Sequence, residues 1–597
     1  MPYNLWLDTV PFSTVNGLTS QKLAFMPSEM ENTTLIYALL GICSAILVVA
    51  VSRVAYPKPY PGIPYNKQSA SRIAGDIPDL VPVISSTNEF SNSIFTITTQ
   101  KLGSPIAQFL FPGMQKPLIV LEDPREIEDI FLRRNKEFDK APMTINIFQP
   151  MFPKGSLAQY TTPELRAQKR LWADVMTASF LHRATAPRIH KAALELVELW
   201  RLKATTICAN KPFPVLDDIL DTTLDAIWSS VLGDEAGTMD YSIKKLQSEL
   251  DSKPRDLTPP RGTFIREQVD YISNTISQVS NTPLPKWAGK IVTYTPRYRK
   301  FRRTITREIS SLMKAAVEKF QKLELESLDN GDADQCMMDL VLRRQVLQAK
   351  KGNSPLVDPT KDESMLDELF VLLVGGHDST ANVLTWFIRF MEAYPAVQTQ
   401  LRKALNTAFP GNKVPSAEEI VHSDIPYLDA VIEEGFRFAG VAKASLRQAL
   451  VDTSILGCPV PKGAEIIMNY HINRPPIPVD ESKRSETCRA NVVKTGDGLQ
   501  GRAGFDLDKF DPGRYIIKDR ETEKERFNQH ALPSIAFGGG YRGCVGRKLA
   551  TLEFRIVITL LVLNFEFVDL PEDMKSMAAT EKIFRQPEKP FAKLKVL

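Results

Sequence analysis

One cysteine in this chain stands where a thiolate could serve as a metal ligand. The run Phe537-Gly538-Gly539-Gly540-Tyr541-Arg542-Gly543-Cys544-Val545-Gly546-Arg547 precedes a helical pattern that begins at Lys548. A thiolate on a buried metal needs backbone N–H donors aimed at sulfur and room for a planar cofactor against the chain, and glycines supply both. Arg542 adds a cation, and the N-terminus of the following helix is expected to lower the Cys544 pKa. For an isolated cysteine the alternative is a buried side chain in a glycine-rich turn. The eleven-residue context argues against it.

Other groups have chemistry available to them. In Gly375-Gly376-His377-Asp378-Ser379-Thr380 two glycines sit inside a long apolar helical stretch, each costing about 1 kcal/mol relative to alanine. Close approach of a flat ring or of dioxygen is one reason to keep them. Ser379 can bond back to the Gly375 carbonyl and widen the helix into a groove that admits water. Asp378 is a carboxyl that could exchange protons with such water, and His377 reads as a bystander, not a metal ligand. Glu434 and Arg437, three apart in a helix beginning near Pro426, share one face. Left on a surface, such a pair is worth only ~0.3–0.5 kcal/mol. In Leu165-Arg166-Ala167-Gln168-Lys169-Arg170 the basic residues are either a solvated face or anion contacts through Lys169 or Arg170.

Taken together these segments resemble the cytochrome P450 family. The loop around Cys544 matches its haem-binding loop, Gly375–Thr380 its oxygen-activation motif, Glu434–Arg437 its ExxR pair, and Phe510-Asp511-Pro512-Gly513-Arg514-Tyr515 its F-x-P-x-R-aromatic segment. The resemblance implies haem b with Cys544 as axial thiolate, whose electron donation favours O–O cleavage. It implies Phe537, Gly538, Gly540 and Gly546 around the cofactor, and propionate contacts from Arg542, Arg447 and one of Lys169 and Arg170. It further implies oxygen chemistry at Asp378, Ser379 and Thr380, and a buried Glu434-Arg437-Arg514 network behind the haem. Three departures stand out. Gly513 replaces a frequent acidic residue, Ser379 replaces the usual threonine, and Leu165 replaces a tryptophan whose contact is lost or comes from Trp172.

These groups need a scaffold of mainly α, α+β type: a long central oxygen-binding helix with small β regions. Periodicity predicts helices over Ala192–Leu202, Phe264–Val279, Arg307–Leu328, Cys336–Leu347 and Met365–Ala393, strands and turns over Phe95–Leu121, and an exposed insertion over Pro475–Arg502. Residues 67–597 read as one catalytic domain, preceded by a short lumenal segment at 1–34, a transmembrane anchor at 35–54 and a proline-rich hinge at 55–66. Leu35 to Val51 is an uncharged, mostly apolar run of seventeen residues, roughly 26 Å as a helix, and Arg53, Lys58 and Lys67 follow it. A cleaved signal peptide is the alternative, opposed by Glu29 and Glu31 where a basic segment would stand. Hydrophobic residues at 43% and charged ones at 24% fit neither a disordered chain nor a polytopic membrane protein. A net charge of +4 gives no reason to expect nucleic acid. The six cysteines form no CxxC pair.

The resemblance implies a monooxygenase of fungal type, held in the endoplasmic reticulum membrane by a single span with its catalytic domain in the cytosol. It acts with O2 on a hydrophobic small molecule, in secondary metabolism or xenobiotic oxidation. No flavin or iron–sulfur module is legible, so electrons are expected from an NADPH-cytochrome P450 reductase, with cytochrome b5 as a further donor. Pocket walls are expected near Phe148–Tyr160, Leu246–Gln268, Phe370–Val374 and Lys443–Leu446. The alternatives are a reductase-independent isomerase or dehydratase, against which Asp378 and Ser379 argue, and a haem sensor without turnover.

Overall fold

The computed structural model describes residues 37, 39–44, 55–113, 115–251, 257–411, 413–495, 506–519 and 521–597. The chain divides into two units, Met1–Tyr56 and Pro57–Leu597. In the first, Tyr37 and residues 39–44 are helical and exposed. The rest of the anchor expected at 35–54 and all of 1–34 lie outside the described residues, apart from those and Ala55 and Tyr56 beside them. Among the described residues no helix is long and apolar enough to cross a membrane.

The second unit is mainly helical with small sheets. The helices that position the site are α1 (Pro124–Leu132), α2 (Pro163–Leu171), α3 (Ala186–Thr205), α4 (Leu216–Leu232), α5 (Glu363–Ala393), α6 (Pro426–Ala439) and α7 (Arg547–Asn564). The Asp362 carboxylate starts α5 by accepting the Ser364 and Met365 N–H groups at 2.9 and 3.3 Å. It ends before Pro395, which cannot continue a helix already closing at Tyr394. Helices α4, α6 and α7 pack around it. A relay of rings leads outward, from Phe387 of α5 to Phe554 of α7 (5.4 Å), to Phe436 of α6 (5.2 Å) and to Phe537 of the Cys544 loop (4.8 Å).

A five-stranded sheet lies to one side, built from β1 (Ile106–Phe109), β2 (Leu118–Leu121), β3 (Phe138–Lys140), β4 (Ala444–Ala449) and β5 (Glu465–Asn469) in the order β1-β2-β5-β4-β3. Only the β2–β5 pair is parallel. The register sets Lys140 of β3 directly opposite Arg447 of β4.

Three expectations change. Phe95–Leu121 opens with helical turns over Phe90–Gln100 before the strands begin. The Thr96, Thr98 and Thr99 hydroxyls donate to the carbonyls four residues back, so these polar side chains are satisfied within the helical turns. The helix expected at Arg307–Leu328 runs from Pro296 to Gln321, capped by the Thr295 hydroxyl, and a separate short helix covers Leu325–Asn330. The described part of the expected insertion, 475–495, is not simply exposed: Arg484 and Cys488 are buried and a helix forms over Glu486–Thr495, while 496–502 lie outside the described residues.

Candidate functional site

The Cys544 loop is shaped by close approach of backbone to backbone. Gly538 and Gly540 have φ values of +65° and +60°, open to glycine at no steric cost, and a Cβ on Gly540 would sit 2.2 Å from the Phe131 carbonyl oxygen. The Cys544 N–H donates to the Phe537 carbonyl at 2.9 Å, closing the loop. The Gly546 and Arg547 N–H groups point at the sulfur from the first turn of α7, as a thiolate ligand requires. The net effect on Cys544 is opposite to the expected lowering. Burial pushes the thiol pKa up, against those two amides and the charges of Lys169 and Arg547. Protein surrounds the residue, yet it remains solvent-accessible on its open side. A coordinated metal ion would reverse that balance outright.

Beside this loop four cations converge. The Arg542 Nε donates to Asp139 Oδ1 at 3.1 Å and its Nη2 reaches the Gln159 carbonyl. The Lys169 ammonium bonds the Tyr541 carbonyl and lies 4.6 Å from the Tyr541 ring centre. Arg447 stacks over Phe131 at 5.1 Å, and Lys140, buried, donates to the Leu157 carbonyl at 2.9 Å. Burial first, then the Arg542, Arg447 and Lys169 charges, holds the Lys140 pKa far below the usual lysine range. Lys169 is lowered by burial and by Arg542. Like charges facing each other across strands, as Lys140 and Arg447 do, are destabilising. Among the described residues Asp139 is the one carboxylate bonded to them, so the cluster is matched to a ligand carrying two negative groups. A thiolate donor, amides on sulfur and a cationic rim fit haem with its two propionates.

On α5 the Ser379 hydroxyl donates to the Gly375 carbonyl at 2.6 Å. Gly375 is exposed in mid-helix with nothing within 4 Å of a Cβ position, so the central helix turns a bare stretch of backbone to open space. Asp378 accepts from the Asn382 amide at 3.0 Å. Burial, then the nearby Asp270, pushes its pKa up to about 6, within reach of proton exchange near neutrality. His377 is wholly enclosed and burial depresses its pKa to about 3, so it stays neutral, as a bystander would. Thr380 faces the core.

Behind the loop Glu434 is fully buried and takes two hydrogen bonds from Arg437, both 2.7 Å, one from Arg514 at 3.2 Å and one from the Asp511 N–H at 2.8 Å. The guanidiniums go on to the Leu507 and Lys509 carbonyls. Burial works against the Arg437 charge, but Glu434 outweighs it and the pKa is raised. This network is interior, not a solvated surface pair.

The placements sort the remaining candidates. Lys169, on the inner face of α2, enters the cation cluster, while Arg170 is exposed. Leu165 and Trp172 are both buried at the two ends of α2. Of the expected pocket walls, Phe152 and Phe370 stack at 5.0 Å. Lys443, in another expected wall, is buried in an ion pair with Glu89 at 2.5 Å, and Glu89 also binds Arg585 at 2.8 Å. The sequence reading missed Lys140, Asp139 and Glu368. Glu368 takes the Ser156 N–H at 2.8 Å and the Gln168 amide at 2.9 Å, tying α5 to α2. None of the three sits in a spacing that signals its role.

Comparison with known proteins agrees with this geometry. The family model described as cytochrome P450 matches residues 84–474 and 506–594. The chain is similar to the cytochrome P450 monooxygenase TRI13 of Fusarium sporotrichioides, with 30% identity across 93% of this chain and 98% of the relative. It is also similar to the cytochrome P450 monooxygenase GME11363 of Pestalotiopsis microspora, at 31% over 94% and 98%. A third relative, the cytochrome P450 monooxygenase xilC of Penicillium crustosum, is 29% identical over 94% of this chain and 96% of its own.

Proposed function

The chain belongs to the cytochrome P450 family and is a cytochrome P450 monooxygenase, and on that premise we propose that it holds haem b through Cys544 and inserts one atom of dioxygen into a hydrophobic small molecule, the other atom leaving as water. The observation that carries this reading is the rim of Lys140, Lys169, Arg447 and Arg542 beside a cysteine whose sulfur receives two backbone amides. Haem, when bound, supplies the redox chemistry of oxygen activation. The protein supplies the rest. Lys140, Arg447, Arg542 and Lys169 would hold the propionates, Phe537, backed by Phe436 at 4.8 Å, would pack beside the sulfur, and Gly375 would leave room for the cofactor. Ser379 keeps the Gly375 carbonyl occupied, and Asp378 holds a proton that it can release toward the reacting oxygen. Two electrons from an NADPH-dependent reductase, with cytochrome b5 as an additional donor, complete the reaction. The exposed basic residues Arg170 and Lys548 suit an acidic partner surface.

We further propose that the chain works at the endoplasmic reticulum membrane with the catalytic unit in the cytosol, on a substrate of fungal secondary metabolism or a xenobiotic. The uncharged run Leu35–Val51 supports an anchor. So does the helix Pro285–Tyr294, with Leu284, Trp287, Ile291 and Tyr294 between 61 and 72% exposed along one face. Lys290 and Arg299 lie over two of those rings, the composition of a helix that rests in a lipid interface. Fungal origin of the reported relatives supports the metabolic setting.

The test is spectroscopic. The reduced carbon monoxide complex of the purified protein should show the red-shifted Soret band of thiolate ligation, and Cys544→Ser should abolish it. With reductase, NADPH consumption should rise when a binding substrate is added. A band that survives Cys544→Ser, or product formed without reductase, would sink the reading.

A further inference from the structure

Residues 475–505 fall between the two stretches that match the family model, so this part of the chain is not accounted for by the shared fold. Its described portion is docked, not solvated. Arg484, 6% exposed, pairs with both oxygens of the buried Asp123 at 2.6 and 2.9 Å, and its Nε donates to Glu481 at 2.9 Å. Glu481 in turn receives Arg125 at 2.8 and 3.2 Å. The Ser485 and Thr487 hydroxyls donate to Asp129 at 2.6 and 2.7 Å. The partners outside the insertion, Asp123, Arg125 and Asp129, belong to the start or the inner face of α1. Asp123 is its N-cap, holding the Glu126 N–H at 2.8 Å. Asp123, Glu126 and Asp129 are 2, 0 and 0% exposed, three acids stacked on one helix face that need cations and hydroxyls to remain buried. The insertion provides that compensation for Asp123 and, beside Arg133, for Asp129, whereas Glu126 is met by Arg134 at 3.1 Å.

The other end of α1 touches the Cys544 loop. The Phe131 carbonyl oxygen would be only 2.2 Å from a Cβ on Gly540, and Leu132 Cδ2 would meet a Cβ on Gly539 at 2.9 Å. The Phe131 ring packs edge-on to Tyr470 at 5.3 Å and under Arg447 at 5.1 Å. The Tyr470 hydroxyl would be 3.2 Å from a Cβ on Gly538. Helix α1 is therefore a rod about 13 Å long with the insertion at its head and the Cys544 loop at its foot. Close packing at both ends leaves it no room to shift without moving what it touches.

We propose that residues 475–495 brace the Cys544 loop through α1, with Arg484 as a positioning residue that acts by way of Asp123 and Phe131. The inference rests on the reading of Cys544 as the haem ligand. It assigns a role to a segment that the family match leaves aside, and it predicts that a change at Arg484 is felt at the loop without any contact between them.

The experiment uses the full-length haem-loaded protein and compares wild type with Arg484→Gln, Arg484→Lys and, as a control in the same segment, the exposed Lys483→Gln. Amide hydrogen exchange should quicken about tenfold at residues 538–543 in Arg484→Gln while α3 and α5 keep wild-type rates. The thiolate-type carbon monoxide band should decay faster, and Arg484→Lys should fall between. Lys483→Gln should match wild type. If the Gln variant is not recovered, Arg484→Lys carries the same comparison, because it keeps the charge but loses the paired geometry. Unchanged loop exchange and an unchanged band overturn the brace, and so does a uniform rise across all helices, which would mean general destabilisation. A wild type without the thiolate band would instead overturn the assignment of Cys544, a result distinguishable from failure of the brace alone.

Discussion

Gly375 and Gly376 are neighbours in α5 yet meet opposite surroundings. A Cβ on Gly376 would sit 2.6 Å from Ile227 Cδ1 of α4, whereas nothing lies within 4 Å of a Cβ on Gly375. One glycine lets two helices approach; the other leaves open space in front of the central helix.

The two alanine substitutions should therefore separate stability from function. Gly376→Ala forces Ile227 to move and should cost about 1–3 kcal/mol, read as a lowered melting temperature of the haem-loaded protein. Gly375→Ala meets no neighbour and gains about 1 kcal/mol of helix propensity, so melting should hold or rise. Its methyl group would enter the open space in front of the central helix, where haem would need room, so turnover should drop. Equal melting of both variants would contradict the packing of α4 on α5.

Lys140 and Arg447 face each other across β3 and β4 with too little negative charge between them. Lys140→Met should relieve that repulsion in protein stripped of haem, raising its melting temperature, and should speed haem loss from the loaded protein. A residue that served only the sheet would shift both in the same direction. Haem transfer to an acceptor protein and parallel melting curves decide between these outcomes.

Glu434 offers the sharpest test of the scaffold. Glu434→Ala leaves Arg437 and Arg514 buried without their carboxylate, a loss of ~3–5 kcal/mol, and recovery of haem-loaded protein should fail or fall steeply. A variant that binds haem normally and melts within a degree or two of wild type would show that the backbone carbonyls alone suffice.

What could be read from the sequence was whatever works within one element or one loop. The Cys544 loop, the Ser379 bond to Gly375 and the Glu434–Arg437 face are local, and spacing shows them. Long helices were visible for the same reason, since apolar periodicity persists over α5 whatever packs against it. Lys140 was invisible because its role depends on pairing a three-residue strand with β4, some three hundred residues away. The choice between Lys169 and Arg170 turned on how α2 is rotated, which the pattern of a short, strongly basic helix does not fix. The helix terminus, visible in the sequence, argues for a lowered Cys544 pKa, whereas the burial that raises it depends on tertiary packing that spacing does not show. The insertion looked polar and hence exposed, yet its charged residues are there to meet the buried acids of α1.

The last prediction concerns proton delivery. Burial and then Asp270 raise the Asp378 carboxyl to about 6, above its ordinary value of 3.8. The folded state thus binds a proton more tightly than the unfolded chain between about pH 4 and 6, and the stability this gives is lost as pH rises through that window. Asp378→Asn should flatten the corresponding slope in a plot of stability against pH. The same shift governs catalysis. An acid that must hold a proton to deliver it is mostly charged above pH 6, so product formed per NADPH should decline from pH 6 to pH 8 in wild type, with hydrogen peroxide rising in its place. Asp378→Asn should lower the ratio at every pH and remove most of its pH dependence, while leaving the haem spectrum intact. Ser379→Ala frees the Gly375 carbonyl and should also raise peroxide. Ser379→Thr keeps the hydroxyl and restricts its rotamers, so the ratio should hold or improve. If neither removal changes product per NADPH or its pH profile, protons reach the oxygen by a route that does not pass Asp378.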